Sequence, residues 1–203
     1  AWKEAKAECP WRHLLNQEEV DAVCFMADAV CGHPVYRDLL AVGDDLMTEV
    51  AVVSDMRGYY PTTPTHGDVG GTPYQVRAKG LLDWWIGAIG WYVDLKSTDD
   101  ASDEGFRSSV YRYGYGFQVA YYERLLEEHG LKMQRPVFLI VENVPPYLVA
   151  ARELEPRAWN SGRRKVDELL PYWSWSTTHD KWTGHSDLIT MTGYPEWVYR
   201  REE

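Results

Sequence analysis

WYVDLKSTDD, residues 91–100, is the stretch on which the reading of this chain turns. Trp91, Tyr92, Val93 and Leu95 predict a strand, and the run ends in a polar turn. Asp94 and Lys96 interrupt the apolar pattern two residues apart. Side chains alternate along a strand, so the carboxylate and the ammonium share one face. A mostly apolar strand carrying such a pair needs a reason, and the flanking sequence supplies candidates.

Working upstream, Gly87 and Gly90 mark a short turn, and Tyr74–Asp83 predicts a preceding strand that ends in a second aspartate. Its even positions Val76, Ala78 and Leu82 are apolar, while Arg77, Lys79, Leu81 and Asp83 fall on the other face. Residues 55–73 are rich in Gly, Pro and Thr and read as a long turn or loop. Met47–Ser54 predicts a first strand, with Glu49 near its start. Before it, residues 16–31 repeat Val20, Val23, Ala27, Val30 and Cys31 at spacings of three and four, the pattern of an amphipathic helix. Asn16 and Glu19 predict a capping box at its start, and Gly32 and Pro34 end it. A short helix is expected at 34–41.

Downstream, the polar stretch leads into FRSSVYRYGYGFQVAYYERLLEEHG, whose second half predicts one helix over about 113–129, stopped by Gly130. Pro136–Glu142 predicts a strand, residues 143–146 a hairpin turn, and Tyr147–Glu153 its partner. Pro156–Leu170 predicts the last clear helix, and the tail from Pro171 is aromatic, acidic and weakly periodic. The order is helix, three strands, helix, two strands, helix. That is a mixed α/β fold with a central sheet flanked by helices.

The bulk numbers bound the function. A chain of 203 residues suits one domain over 1–203, and 45% apolar residues with 10 Trp and 14 Tyr supply a core. No apolar run is long enough to span a bilayer, and no signal sequence is visible. A formal net charge of -10 argues against a surface coated in basic charge. Cys9, Cys24 and Cys31 are an odd count, which fits a reducing, cytoplasmic setting. Cys24 and Cys31 are expected on the buried stripe of the first helix. Three cysteines do not complete an iron–sulfur or zinc set.

If the strands ending at Asp83 and holding Asp94 are neighbours, their carboxylates approach one another. Two unpaired carboxylates in one pocket oppose each other's ionisation, and a divalent cation removes that cost. Magnesium suits such oxygen donors and keeps some of its waters. It can polarise a phosphodiester and acidify a bound water. A lysine two residues beyond the second carboxylate can orient that water or stabilise developing charge. An isolated D-x-K is most often a solvated strand edge or an ordinary ion pair. The apolar setting, Asp83 and a third carboxylate at Glu49 favour a site for one or two ions over that reading. Gln118 and Tyr122 are four apart and share a helical face. Gln118 can bond a water or phosphate, and Tyr122 can donate its hydroxyl or simply join Phe117 and Tyr121 in an aromatic core.

GLLDWW and WYVDLKST followed by YGFQVAYY resemble the PD-(D/E)xK nuclease superfamily, most closely the exonuclease VIII (RecE) and lambda-exonuclease branch. The ordered set is Glu49, Asp83, Asp94 with Lys96, and Gln118 with Tyr122, and the resemblance spans about residues 20–153. It implies a restriction-endonuclease-like core and hydrolysis of DNA with Mg2+ or Mn2+. It further implies digestion of duplex ends from 5′ to 3′ in recombination, beside a single-strand annealing protein, by subunits that close into rings. On this resemblance Asp83, Asp94 and the backbone carbonyl of Leu95 bind metal, with Glu49 nearby. Lys96 assists the attacking water, Gln118 positions substrate or Lys96, and Tyr122 supports it.

Two features depart from that pattern. The family's early-helix histidine, in a G-x-x-x-H-like context, has no counterpart here, since His33 lies in a GHP turn and reads as a helix-terminus residue. The matching helix is expected upstream of Ala1. The acidic balance would require a local groove, with Arg77, Lys79, Arg107 and Arg112 as its candidate lining. The alternative function is a non-catalytic DNA-binding or assembly module on the same fold.

Overall fold

The computed structural model describes residues 15–62, 69–182 and 184. Helix α1 (Gln17–Gly32) begins where the Asn16 side chain accepts from the Glu19 N–H and the Glu19 carboxylate accepts from the Asn16 N–H, the reciprocal cap that the sequence predicts. Helix α2 (Pro34–Ala41) follows directly, with Nδ1 of His33 accepting from the Val35 N–H at its start. A single 3-10 turn then leads into β1 (Leu46–Tyr59). After β1 come β2 (Pro73–Ile86) and β3 (Trp91–Thr98), then helices α3 (Asp103–Arg112) and α4 (Tyr115–Glu127). Strands β4 (Arg135–Glu142) and β5 (Val149–Glu153) and helix α5 (Pro156–His179) complete the described chain.

The five strands lie in sequence order in one sheet. All neighbours are antiparallel except β3 and β4, which run parallel and are joined through α3 and α4. The sheet separates two apolar layers. On one side Tyr92, Phe138 and Ile140 pack with Val119, Leu125 and Leu126 of α4 and Val166 of α5. On the other, Val93, Val137, Leu139 and Val141 pack with Val30 of α1 and Leu39 of α2. The result is the mixed sheet between helices that the sequence predicts, a restriction-endonuclease-like α/β core.

Helices α4 and α5 cross with almost no space between them. A Cβ on Gly116 would lie 2.7 Å from the carbonyl oxygen of Ala158, and one on Gly162 would run into the backbone of Gly116. Two glycines therefore set how closely α4 lies to α5, two residues before Gln118.

The longest β-ladder contains a break. Thr48 pairs with Trp84 and Val50 with Leu82, while Glu49 and Asp83 between them leave the ladder. Glu49 is left-handed, with φ 51°. On either side of this point the strands present opposite parities. Val52 and Met56 of β1, and Val76, Ala78 and Leu82 of β2, face α4 and α5. Leu46, Trp84 and Ile86 face α1 and α2. The alternation of both strands shifts by one residue there, as at a bulge.

Several boundaries correct the sequence reading. Strand β1 runs on to Tyr59, well into the expected 55–73 loop, and β2 continues past Asp83 to Ile86; residues 63–68 of that loop lie outside the described residues. The expected helix over 113–129 is two helices, because Gly114 takes a left-handed φ of 68° and Ser102 caps a separate α3. Helix α5 does not stop at Leu170 but continues through Pro171 to His179. Pro171 forfeits one backbone donor, but it is buried beside Leu170 and Ser174, and packing keeps the helix going. Cys24 and Cys31 are exposed, not on a buried stripe, because α1 buries Val30 instead. Cys9 lies outside the described residues. Among those described, no helix is long and apolar enough to cross a membrane.

Candidate active site

The break in the β1–β2 ladder opens the site. Strands β2 and β3 pair from Ile86–Trp91 to Trp84–Val93 and then part. The next position would set Asp83 opposite Asp94. Instead, the Asp83 carboxylate accepts the Leu95 N–H at 2.8 Å and takes the place of a ladder carbonyl. The shift in alternation brings Asp83 to the side of the sheet that carries Tyr92, Asp94 and Lys96. Glu49 occupies the matching position on β1, so the three carboxyl positions stand in one row across three strands. Glu49 is exposed and acts on Asp83 by charge.

Asp94 is 3% exposed. Its Oδ1 accepts from the Tyr92 hydroxyl at 2.5 Å and from Gln118 Nε2 at 3.2 Å. Its Oδ2 forms a close ion pair with the Lys96 ammonium. Lys96 Nζ also donates to Gln118 Oε1 at 3.2 Å and lies 4.7 Å from the centre of the Tyr115 ring. The Gln118 amide is thereby oriented, with its carbonyl toward an ammonium and its N–H groups toward a carboxylate. Gln118 Nε2 lies 3.2 Å from the Tyr92 hydroxyl, and the Gln118 side chain also hydrogen-bonds Tyr122. The Tyr122 ring stands edge-on to Tyr92, 5.5 Å between centres.

The electrostatics follow from burial. Asp83 is held above the usual carboxylate range, chiefly by burial and further by Asp94 and Glu49, against the pull of the Leu95 N–H and Lys96. Burial and the adjoining Asp94 carboxylate push the Tyr92 hydroxyl far up, so it remains a hydrogen-bond donor. Tyr115 and Tyr122 are raised as well, in both cases mainly by burial.

The geometry brings together Asp83, Asp94, the backbone of Leu95, Lys96, Gln118 and Tyr122. Phe117 and Tyr121 stack on each other away from the site, and Tyr121 donates to the Lys79 carbonyl. The four basic residues border three different cavities. Arg77 pairs with Asp55 at 3.8 Å, and with Lys79 it borders an apolar cleft between β2 and α5. Arg107 borders a cavity between α3 and α5. Arg112 lines a separate cavity of about 320 Å³ that adjoins the site through Ser97 and Tyr115. Sequence reasoning missed Tyr92 and Tyr115. Tyr92 precedes Asp94 by two and so shares its strand face, and Tyr115 precedes Gln118 by three on one helix face.

Among the described residues, no three His, Cys, Asp or Glu side chains gather as a metal cluster. The donors present still suit a hard divalent cation. The Asp83 carboxylate sits on the Leu95 backbone, Asp94 precedes Leu95 on the same strand with one buried oxygen that faces only the Lys96 ammonium, and magnesium completes its shell with water.

No curated protein matches this chain. Among solved structures, a "putative exonuclease" from Eubacterium rectale is similar over 98% of this chain and 72% of its own, with TM-score 0.61 and 12% identity. That likeness is one of fold. A second structure, SSO0001, covers 82% of each chain at 15% identity, but its TM-score of 0.39 carries no argument. A family model matches residues 64–192, the span that includes Asp83, Asp94, Lys96, Gln118 and Tyr122. With that match laid over this sheet, the chain belongs to the PDDEXK-like domains of unknown function (DUF3799), within the PD-(D/E)xK-like nuclease superfamily.

Proposed function

We propose that this chain hydrolyses DNA phosphodiester bonds with Mg2+ or Mn2+, working from the 5′ ends of duplex DNA in recombination. The observation that carries the hydrolytic reading is the closure of D-x-K and Q-x-x-x-Y on one network, in which Gln118 bridges Lys96 and Asp94. The direction of digestion, the recombination role, the annealing partner and a ring of subunits rest on the resemblance to the RecE and lambda-exonuclease branch.

Asp83, Asp94 and the Leu95 carbonyl would hold the ion, with Glu49 reaching from the next strand. What an ion held there supplies is charge against the phosphate oxygens and a more acidic bound water. Lys96 would orient the attacking water and offset charge that develops on the phosphoryl oxygens. Gln118 and the Tyr115 ring fix the ammonium in place, and Tyr122 fixes Gln118. Arg112, in the cavity beyond Tyr115, would meet a phosphate of the bound strand.

The test is digestion of linear duplex DNA labelled separately at its 5′ and 3′ ends, in Mg2+ and in chelator. The expected result is ion-dependent release of the 5′ label, abolished by Asp94→Ala and by Asp83→Ala. Full activity of either variant, or undiminished cleavage in chelator, would overturn the mechanism. An inactive wild-type chain that binds DNA and the ion would favour the non-catalytic module.

A further inference from the structure

Within the site just proposed, and resting on that reading, we infer that Tyr92 is a positioning residue that makes Asp94 a one-oxygen ligand for the divalent cation. Its hydroxyl hydrogen is spent on Asp94 Oδ1 at 2.5 Å, and the same oxygen accepts Gln118 Nε2 at 3.2 Å. Both donors are spent on Oδ1. Oδ2 is left to the ammonium of Lys96 alone. A carboxylate with both oxygens free can swing between one-oxygen and two-oxygen coordination. Asp94, with Oδ1 tied by two donors and Oδ2 facing only the Lys96 ammonium, has that one oxygen to share with the ion.

The grip is firm because Tyr92 is enclosed by the core. Its side chain is fully buried. Its ring is held edge-on by Tyr122, and its hydroxyl also receives Gln118 Nε2. Tyr92, Asp94 and Lys96 stand at alternate positions of β3, so one strand face supplies the positioning hydroxyl, the ligand and the ammonium in succession. Magnesium demands near-ideal octahedral geometry, so a ligand that presents one oxygen at a set angle discriminates more sharply than a swinging one. Partners that orient a metal ligand typically govern affinity or activity by 10- to 100-fold.

The test substitutes Tyr92→Phe, which keeps the buried ring and removes only the hydroxyl. Mn2+ binding is measured by calorimetry in the absence of DNA, beside the melting temperature in chelator and the kcat and KM of duplex digestion. The expected result is Mn2+ affinity lower by about 10-fold or more. The melting temperature in chelator should stay within a few degrees of wild type, and the loss should fall in kcat more than in KM. Gln118→Leu should weaken Mn2+ binding in the same direction, and the double variant by less than the product of the two. Unchanged Mn2+ affinity in Tyr92→Phe, while Asp94→Ala abolishes binding, would overturn the role of Tyr92 and leave the site reading standing. A wild-type chain whose Mn2+ binding is indifferent to Asp94→Ala would overturn the site reading and this inference together. A collapse of the melting temperature in Tyr92→Phe matched by unchanged affinity of the folded fraction would reduce Tyr92 to a core residue.

Discussion

Removing the ammonium of Lys96 would leave Asp94, 3% exposed, with no cation beside it. Breaking a buried ion pair from one side is costly, because the remaining charge keeps its desolvation penalty. Lys96→Met, which keeps the stem, should therefore destabilise the protein in chelator by up to about 3 kcal/mol. Mg2+ should restore part of that loss by supplying a charge to Asp94. The check is a pair of melting curves for each protein: the Mg2+-induced rise should be larger in Lys96→Met than in wild type. Activity should nonetheless fall by more than about tenfold even in saturating Mg2+, since a positioned charge acts on the transition state. An equal thermal response in the two proteins would mean that Lys96 and the ion do not share Asp94. Tyr115 belongs to the same account, because its ring lies 4.7 Å from the ammonium and gives Lys96 a reason to stay where it is without substrate.

Among the elements, α4 matters most for the site, and its height above the sheet is set by the Gly116–Gly162 crossing. Gly162→Ala would place a methyl group in the backbone of Gly116. The expected cost is about 1–3 kcal/mol of stability, a melting temperature lower by roughly 3–10 °C. A loss of activity in the folded protein at low temperature should accompany it, since Gln118 would ride outward with its helix. Circular dichroism melts and digestion assays below the transition separate the two effects, and full activity with a lowered melting point would show that α4 yields elsewhere. Strand β2 was legible because its apolar residues alternate, and β3 and β4 because theirs run together, with D-x-K standing out as the exception inside such a run. Gln118 and Tyr122 were legible from their four-residue spacing. The split at Gly114 was not, since its left-handed backbone is a tertiary choice that a glycine permits without requiring. The extension of α5 through Pro171 was hidden for the opposite reason, because buried packing there overrode a residue that ordinarily stops helices. Cys24 and Cys31 fitted the helical period but not the face that the sheet selected, and period alone does not choose between adjacent stripes.

For the whole molecule, stability should carry the imprint of the acidic row. Asp83 has its folded pKa raised, mainly by burial. A group raised on folding stabilises the protein fully below its unfolded pKa, and that contribution is lost as pH rises through the folded value. In chelator the protein should thus lose stability on this account as pH climbs from the ordinary carboxylate range through the raised pKa of Asp83. Asp83→Asn can still accept the Leu95 N–H and should remove that loss. It should melt higher than wild type at pH 7 and converge on it near pH 4, while losing its response to Mg2+. Melting curves across pH 4–8 with and without the ion decide the matter, and parallel curves for the two proteins would count against a raised Asp83. Glu49 and Asp83 also mark the place where both strands of the long hairpin change facing. In a uniformly alternating hairpin, a slide by two residues keeps every apolar side chain on its proper side, and so costs little. Here such a slide would carry one strand's change of facing past the other's and trap mismatched side chains between them. The acidic notch thus works as a keyway: the feature that opens room for chemistry also leaves the chain a single way to zip.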